Sequence, residues 1–137
     1  MMNTVELTIT SDKSSLYKVE NYLDLLVDEF EVTRELFGKL SLATVEAVNN
    51  ALLYGNRCDP NKKIRLSATK DQGNIVMTIE DEGVDFDFSN ITDPTIPENI
   101  NKTCGRGLYL MKKLSDDLQF EKNGARVIMA FSLNEQK

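Results

Sequence analysis

The chain contains no histidine. That absence excludes a Ser-His-Asp or Cys-His hydrolase, a zinc enzyme with histidine ligands, and any phosphohistidine within the chain. Cysteine is nearly absent as well. Cys58 and Cys104 are the only two, and their spacing matches neither a metal site nor a disulfide framework. Two free thiols fit a reducing compartment. Positive charge is in deficit, with 16 basic against 22 acidic residues and a net charge of −6. Such a chain gains no general electrostatic help on a phosphate backbone, so no direct nucleic-acid partner is expected. An anionic ligand would have to be met by local donors, a metal ion, or both. No apolar run nears the roughly 20 residues that span a bilayer. The opening MMNTVELTIT has no basic stretch followed by an apolar one, so it does not read as a signal peptide. A cytoplasmic protein without a membrane partner is the expectation.

What is present is ordinary for a folded domain. The 137 residues, 41% hydrophobic and 28% charged, suit one domain with a real core, spanning 1–137. Val5–Thr10 alternates apolar and polar residues as a strand does. Ser11-Asp12 offers helix-capping chemistry, and Leu16, Val19, Tyr22, Leu23, Leu26, Val27 and Phe30 follow at helical spacing. A break is expected at Phe37-Gly38. A second helix should run from about Leu40 to Tyr54 and stop at Gly55, with Val45, Val48 and Leu52 inward. Ile64–Thr69 and Ile75–Glu80 read as a hairpin around Asp71-Gln72-Gly73-Asn74. From Gly83 to Gly105 the sequence carries Asp, Asn, Ser, Thr and two of the three prolines. A segment of that length inside a compact domain reads as a lid, at about 84–105. A third helix is expected from near Arg106, burying Leu108, Met111 and Leu114. Leu118–Glu121 and Arg126–Phe131 close the chain as a second hairpin around an Asn-Gly pair. Strands in hairpins rather than strand-helix-strand units imply an α+β two-layer sandwich, with helices on one face of a mostly antiparallel sheet.

Three short constellations carry chemistry. In Val45-Glu46-Ala47-Val48-Asn49-Asn50-Ala51, Glu46 and Asn50 stand four apart and share a helix face beside Leu42, Ala43 and Leu53. A carboxylate and an amide oxygen converging there suit a proton acceptor and a ligand for a hard cation such as Mg²⁺. The same face is also readable as a solvated polar surface. In Ile79-Glu80-Asp81-Glu82-Gly83, an acid falls at a strand end with a glycine two residues on. A buried carboxylate there suits an exocyclic amine, while Asp and Gly equally suit a plain turn. In Thr103-Cys104-Gly105-Arg106-Gly107-Leu108, glycines ahead of a helix let backbone N–H groups face a phosphate, with Arg106 or Lys102 adding charge. A flexible link into the helix explains the glycines as well.

Taken together and in this order, the three resemble the nucleotide-binding boxes of the histidine-kinase-like ATPase superfamily, over roughly Leu40 to Phe131. Within it the phrases EAVNNALLYGN, DEGVDFD and GRGLYLMKKLSDDL are most similar to the stand-alone serine/threonine kinases that act as bacterial anti-sigma factors. The resemblance implies a Bergerat-type ATP-binding fold with a mixed, mostly antiparallel sheet, and ATP with Mg²⁺ as cofactors. It implies Glu46 as general base, Asn50 as Mg²⁺ ligand, Asp81 as adenine reader and Gly83 as part of the adenine pocket. Gly105 and Gly107 would shape the phosphate-facing helix start, Arg106 would contact the terminal phosphates, and Asn49 and Leu108 would be further cofactor-binding residues. Asp85 stands where the superfamily usually has a second glycine.

The missing histidine bears on the subclass. A sensor kinase needs a phosphoacceptor histidine and a dimerising helical hairpin, and topoisomerase or mismatch-repair relatives continue into a transducer domain. The expectation is therefore a domain acting in trans: phosphoryl transfer from ATP to a serine or threonine of a small anti-sigma-factor antagonist, with a sigma factor as a competing ligand. The alternative is a regulatory module that captures its partner stoichiometrically, with ATP ordering the lid and no transfer. A site that has decayed is the third. Homodimerisation through the first strand and helix is a further expectation from the same resemblance.

Overall fold

A computed structural model describes residues 3–83 and 103–133. The elements in chain order are β1 (Asn3–Thr10), α1 (Leu16–Phe30), α2 (Arg34–Asn50), β2 (Lys63–Asp71), β3 (Asn74–Asp81), α3 (Thr103–Leu114), β4 (Asp117–Glu121) and β5 (Arg126–Ser132). The lid at about 84–105 lies outside the described residues as far as residue 102, and Asp85 and Lys102 with it.

The five strands form one sheet in the order β1-β2-β3-β5-β4. The sheet expected to be mostly antiparallel, with a mixed component, is antiparallel at every described pairing. Two hairpins explain most of this: neighbours joined by short turns must run in opposite senses. At the β2–β3 turn both Gln72 (φ 52°) and Gly73 (φ 81°) are left-handed, the geometry whose twist matches the flanking strands. The β4–β5 connection is a short 3₁₀ segment at Lys122–Gly124 followed by Ala125.

One face of this sheet is the core. Ile64, Leu66 and Ala68 on β2, Ile75, Met77 and Ile79 on β3, and Val127, Met129 and Phe131 on β5 are all buried. The register places Leu66 opposite Ile79 and Met77 opposite Met129, so the alternating apolar residues fall in rows across the strands. The helices cover these rows. From α1, Val19, Tyr22, Leu23, Leu26 and Phe30 point inward at the expected spacing. The Tyr22 hydroxyl donates to the Val5 carbonyl at 2.6 Å, tying α1 to the edge strand.

Three helix boundaries differ from expectation. No break occurs at Phe37-Gly38: α2 begins at Arg34, with the Thr33 hydroxyl capping it by accepting from the Leu36 N–H at 3.2 Å. Leu36, Leu40, Ala43, Ala47 and Val48 form one continuous buried stripe, and its burial outweighs the cost of a helical glycine. Gly38 lies where nothing would stand within 4 Å of a Cβ, on the open side. At the other end the α-helix closes at Asn50 and the chain widens into a π-helical turn, Ala51–Gly55. The third helix begins at Thr103, three residues before Arg106, so the glycine pair lies within its first turns. Among the described residues no helix is long and apolar enough to cross a membrane.

Candidate functional site

The last turns of α2 carry the first constellation. Helical spacing sets Glu46 and Asn50 on one face, with Glu46 and Asn49 half-buried and Asn50 only 7% exposed. The first turns of α3 pack on that face. A Cβ at Gly107 would lie 3.0 Å from Glu46 Oε1 and 3.3 and 3.4 Å from the Asn50 amide atoms. Glycine is thus the residue that lets the start of α3 close on the carboxylate and the amide together. The first and third constellations, some 50 residues apart in the chain, form one place in the fold. Arg106 is exposed beside it. The Leu108 side chain belongs to the hydrophobic core, so only its main chain is available there. Gly105 lies inside α3, in its first turn.

Among the described residues, Asn50 Nδ2 is buried without a hydrogen-bond partner. A buried amide left unpaired costs free energy on the order of 1–3 kcal/mol, and such orphans call for an explanation. A side-chain amide can present its oxygen instead by turning over, so the group fits a hard cation held against phosphates.

Asp81 ends β3, pointing to the helix side. Its own N–H donates to the Ala125 carbonyl at 2.8 Å, and its Oδ1 accepts from the Gly83 N–H at 2.8 Å. Burial pushes its carboxyl up to about 6, opposed by the Gly83 N–H, reinforced by the Glu80 charge and opposed again by Lys62. Two glycines make the arrangement possible. A Cβ on Gly55 would overlap the Asp81 carboxyl group, and one on Gly83 would overlap the Gly55 carbonyl. The π-helical turn at the end of α2 therefore lies directly against the strand end.

Three groups around Asp81 escaped the sequence reading. Gly55 reads there only as a helix stop. Asn56 is 1% exposed, donates from Nδ2 to Ser11 Oγ (2.5 Å) and the Lys63 carbonyl (2.9 Å), and accepts the Glu82 N–H at 2.8 Å. It ties the end of β1, the start of β2 and the chain after β3 into one knot. Glu80, on the opposite face of β3, accepts from Lys122 at 2.6 Å and from Arg126 at 3.0 and 3.1 Å. These bonds hold both ends of the β4–β5 loop, and hydrogen bonding to Lys122 keeps the Glu80 carboxyl below its ordinary range. An Asn after a glycine reads locally as a turn residue, and no local signal marks it as a junction of three segments.

These parts line a small open pocket. Asn50, Ala51, Tyr54 and Gly55 line its helix side, Ile79, Asp81, Val127 and Phe120 its sheet side, Met111 its α3 side, and Gly124 and Ala125 its end. Its lining is mostly apolar, with one carboxylate, Asp81, and one amide, Asn50. That combination suits a flat apolar ring with a donor on one edge.

A family model described as histidine kinase-like ATPase domain matches residues 9–131. An anti-sigma F factor of Clostridium perfringens is 29% identical over 115 residues, covering 79% of this chain and 81% of its own length. The serine-protein kinase RsbW of Bacillus subtilis is 28% identical over 105 residues, 72% of this chain and 66% of that one. The crystal structure of the RsbU and RsbW domains of a Mycobacterium tuberculosis protein superposes on 98% of this chain with a TM-score of 0.66 at 14% identity. That likeness is one of fold, and this chain spans 33% of the length of that one.

Proposed function

The chain belongs to the histidine kinase-like ATPase domain family, and on that premise we propose that it binds ATP with Mg²⁺ and phosphorylates a small partner protein. The partner is of the anti-sigma-factor antagonist type, phosphorylated on serine or threonine, and a sigma factor is a second, competing ligand. The names of the relatives support the partner classes. The observation that carries the chemistry is the closure of α3 on Glu46 and Asn50 at Gly107, beside the pocket that ends in Asp81.

In this reading the adenine ring enters the slot and its amino group donates to Asp81. The Asn50 amide holds Mg²⁺, which supplies neutralisation of charge on the phosphate oxygens. The N–H groups at the start of α3 face the phosphates and favour negative charge there. Glu46 accepts the proton of the attacking serine or threonine hydroxyl while the hydroxyl oxygen bonds to the terminal phosphorus and the bond from that phosphorus to the ADP oxygen breaks. Positioning and electrostatics do most of the work in such a transfer, so few groups suffice.

The test is Glu46→Ala incubated with labelled ATP and purified antagonist, alongside thermal stabilisation by ATP. We expect label on the partner to be lost while the stabilisation by ATP stays. Undiminished transfer would sink the base assignment. A native protein that forms a complex with the partner and never labels it would favour the binding-module reading.

A further inference from the structure

Three successive N–H groups at the strand end that carries Asp81 are held, each by a different group. Asp81 donates to the Ala125 carbonyl, Glu82 to Asn56 Oδ1 and Gly83 to Asp81 Oδ1, all at 2.8 Å. The last of these bonds takes one oxygen of the carboxyl and so fixes its turn. Where the Gly83 N–H stands depends on the Glu82 peptide before it, and that peptide is held by Asn56. The Asn56 amide has no freedom of its own. Its Nδ2 donates to Ser11 Oγ and, at 2.9 Å, to the Lys63 carbonyl, a group that can only accept. Its Oδ1 must then be the atom that meets the Glu82 N–H, a group that can only donate. The residue is 1% exposed, so bulk water does not compete for these bonds. Gly55, its neighbour in the chain, stands against the same carboxyl, which a Cβ there would overlap. Two consecutive residues after α2 thus act on Asp81, one by contact and one through the Glu82 peptide.

We propose that Asn56 is a positioning residue of the nucleotide site: through the Glu82 N–H it fixes the Asp81–Gly83 turn, and with it the angle at which the Asp81 carboxyl meets the amino edge of the base. The proposal rests on the nucleotide reading above and assigns part of the base preference to a side chain outside the pocket lining. A hydrogen bond to a carboxylate is strong only when aligned, and it weakens steeply below about 120°. Without the Asn56 oxygen the Glu82 peptide rotates, the Gly83 N–H leaves Asp81 Oδ1, and the carboxyl samples other rotamers. A bound nucleotide then keeps its apolar and phosphate contacts and loses its aligned acceptor. The loss falls on a base with an amino edge and spares a base without one.

Inosine triphosphate, which carries a carbonyl where ATP has the amino group, separates this effect from a loss of stability. Calorimetric titration with Mg²⁺ gives the affinity of both nucleotides for the native protein, Asn56→Ala and Ser11→Ala, with the urea midpoint of each. Ser11→Ala cuts the other side of the knot and leaves the bond from Glu82 to Asn56 in place. Both variants should be less stable than the native protein. Only Asn56→Ala should bind ATP about tenfold more weakly, the loss of one aligned charge-assisted bond, with inosine triphosphate within about twofold of native. Asn56→Ser, whose hydroxyl stops one bond short of the amide oxygen, replaces the alanine variant if that one does not fold, and should show the same split. The proposal is overturned if a folded Asn56 variant keeps the native preference for ATP. It is also overturned if Ser11→Ala narrows that preference as much, because the effect then follows stability. A native protein that binds no ATP, or takes both nucleotides equally, overturns the nucleotide reading itself, a distinct result.

Discussion

Asp81→Asn should move stability and ligand binding in opposite directions. The carboxyl is raised from 3.8 to about 6 chiefly by burial. A carboxylate whose folded pKa lies above its unfolded value stabilises the fold when protonated, and that contribution is lost as pH rises from about 4 through 6. At pH 8 the ionised group is therefore a net cost. Taken in full, a shift of 3.8 to about 6 corresponds to about 3 kcal/mol. Water reaches the carboxylate through the open pocket, so we expect about 1–2 kcal/mol. The asparagine keeps an oxygen for the Gly83 N–H, now bonded at 2.8 Å, and removes the charge. The ligand-free variant should then melt about 3–6 °C above the native protein at pH 8. The advantage should shrink as pH falls and vanish near 4.

Ligand binding should respond the other way. With its oxygen held by Gly83, the asparagine turns an NH₂ toward the amino edge of the base, donor against donor. Losing a charge-assisted bond and adding that mismatch should weaken ATP about a hundredfold. At an ATP concentration of a hundred native dissociation constants, the native gain of about 2.7 kcal/mol would fall to about 0.4 kcal/mol. In the native protein, protonating Asp81 should likewise weaken ATP as pH drops below about 6. Differential scanning with and without Mg-ATP from pH 4 to 8 reads all of these. A ligand-free Asp81→Asn less stable than the native protein at pH 8 would refute the account of burial. A retained ATP shift would refute Asp81 as the reader of the base.

Gly55→Ala places a methyl group in the Asp81 carboxyl, so ATP affinity measured by titration should fall at least about tenfold while the chain still folds, at a cost of about 1–3 kcal/mol. Unchanged affinity would show that the carboxyl has no fixed position. Asn56→Ala removes three hydrogen bonds at a residue 1% exposed and leaves the Glu82 N–H and Lys63 carbonyl without that partner. Urea unfolding should show a loss of about 2–4 kcal/mol. A loss under about 0.5 kcal/mol would mean that water replaces the amide without penalty.

Local pattern in the sequence was enough for the elements and for the identity of the polar groups. Alternation in 64–69 and 75–80, helical spacing in 16–30 and the two turn signals each depend on residues within a few positions, and each element is present. Glu46 and Asn50 sharing a face follows from helix geometry alone. Where the reading went astray, at Phe37-Gly38 and at the start of α3, a glycine was weighed without the buried stripe or packing that overrides it. Only the tertiary structure decided what meets what. The approach of Gly107 to Glu46 and Asn50 and that of Gly55 to Asp81 join residues from 26 to 61 positions apart. The buried state of Asp81 and the three-way bonding of Asn56 belong to the same class. The physical reason is range. Propensity and periodicity act within a turn of helix or a strand pair, whereas desolvation, close backbone approach and orphaned polar groups arise only when separate segments pack.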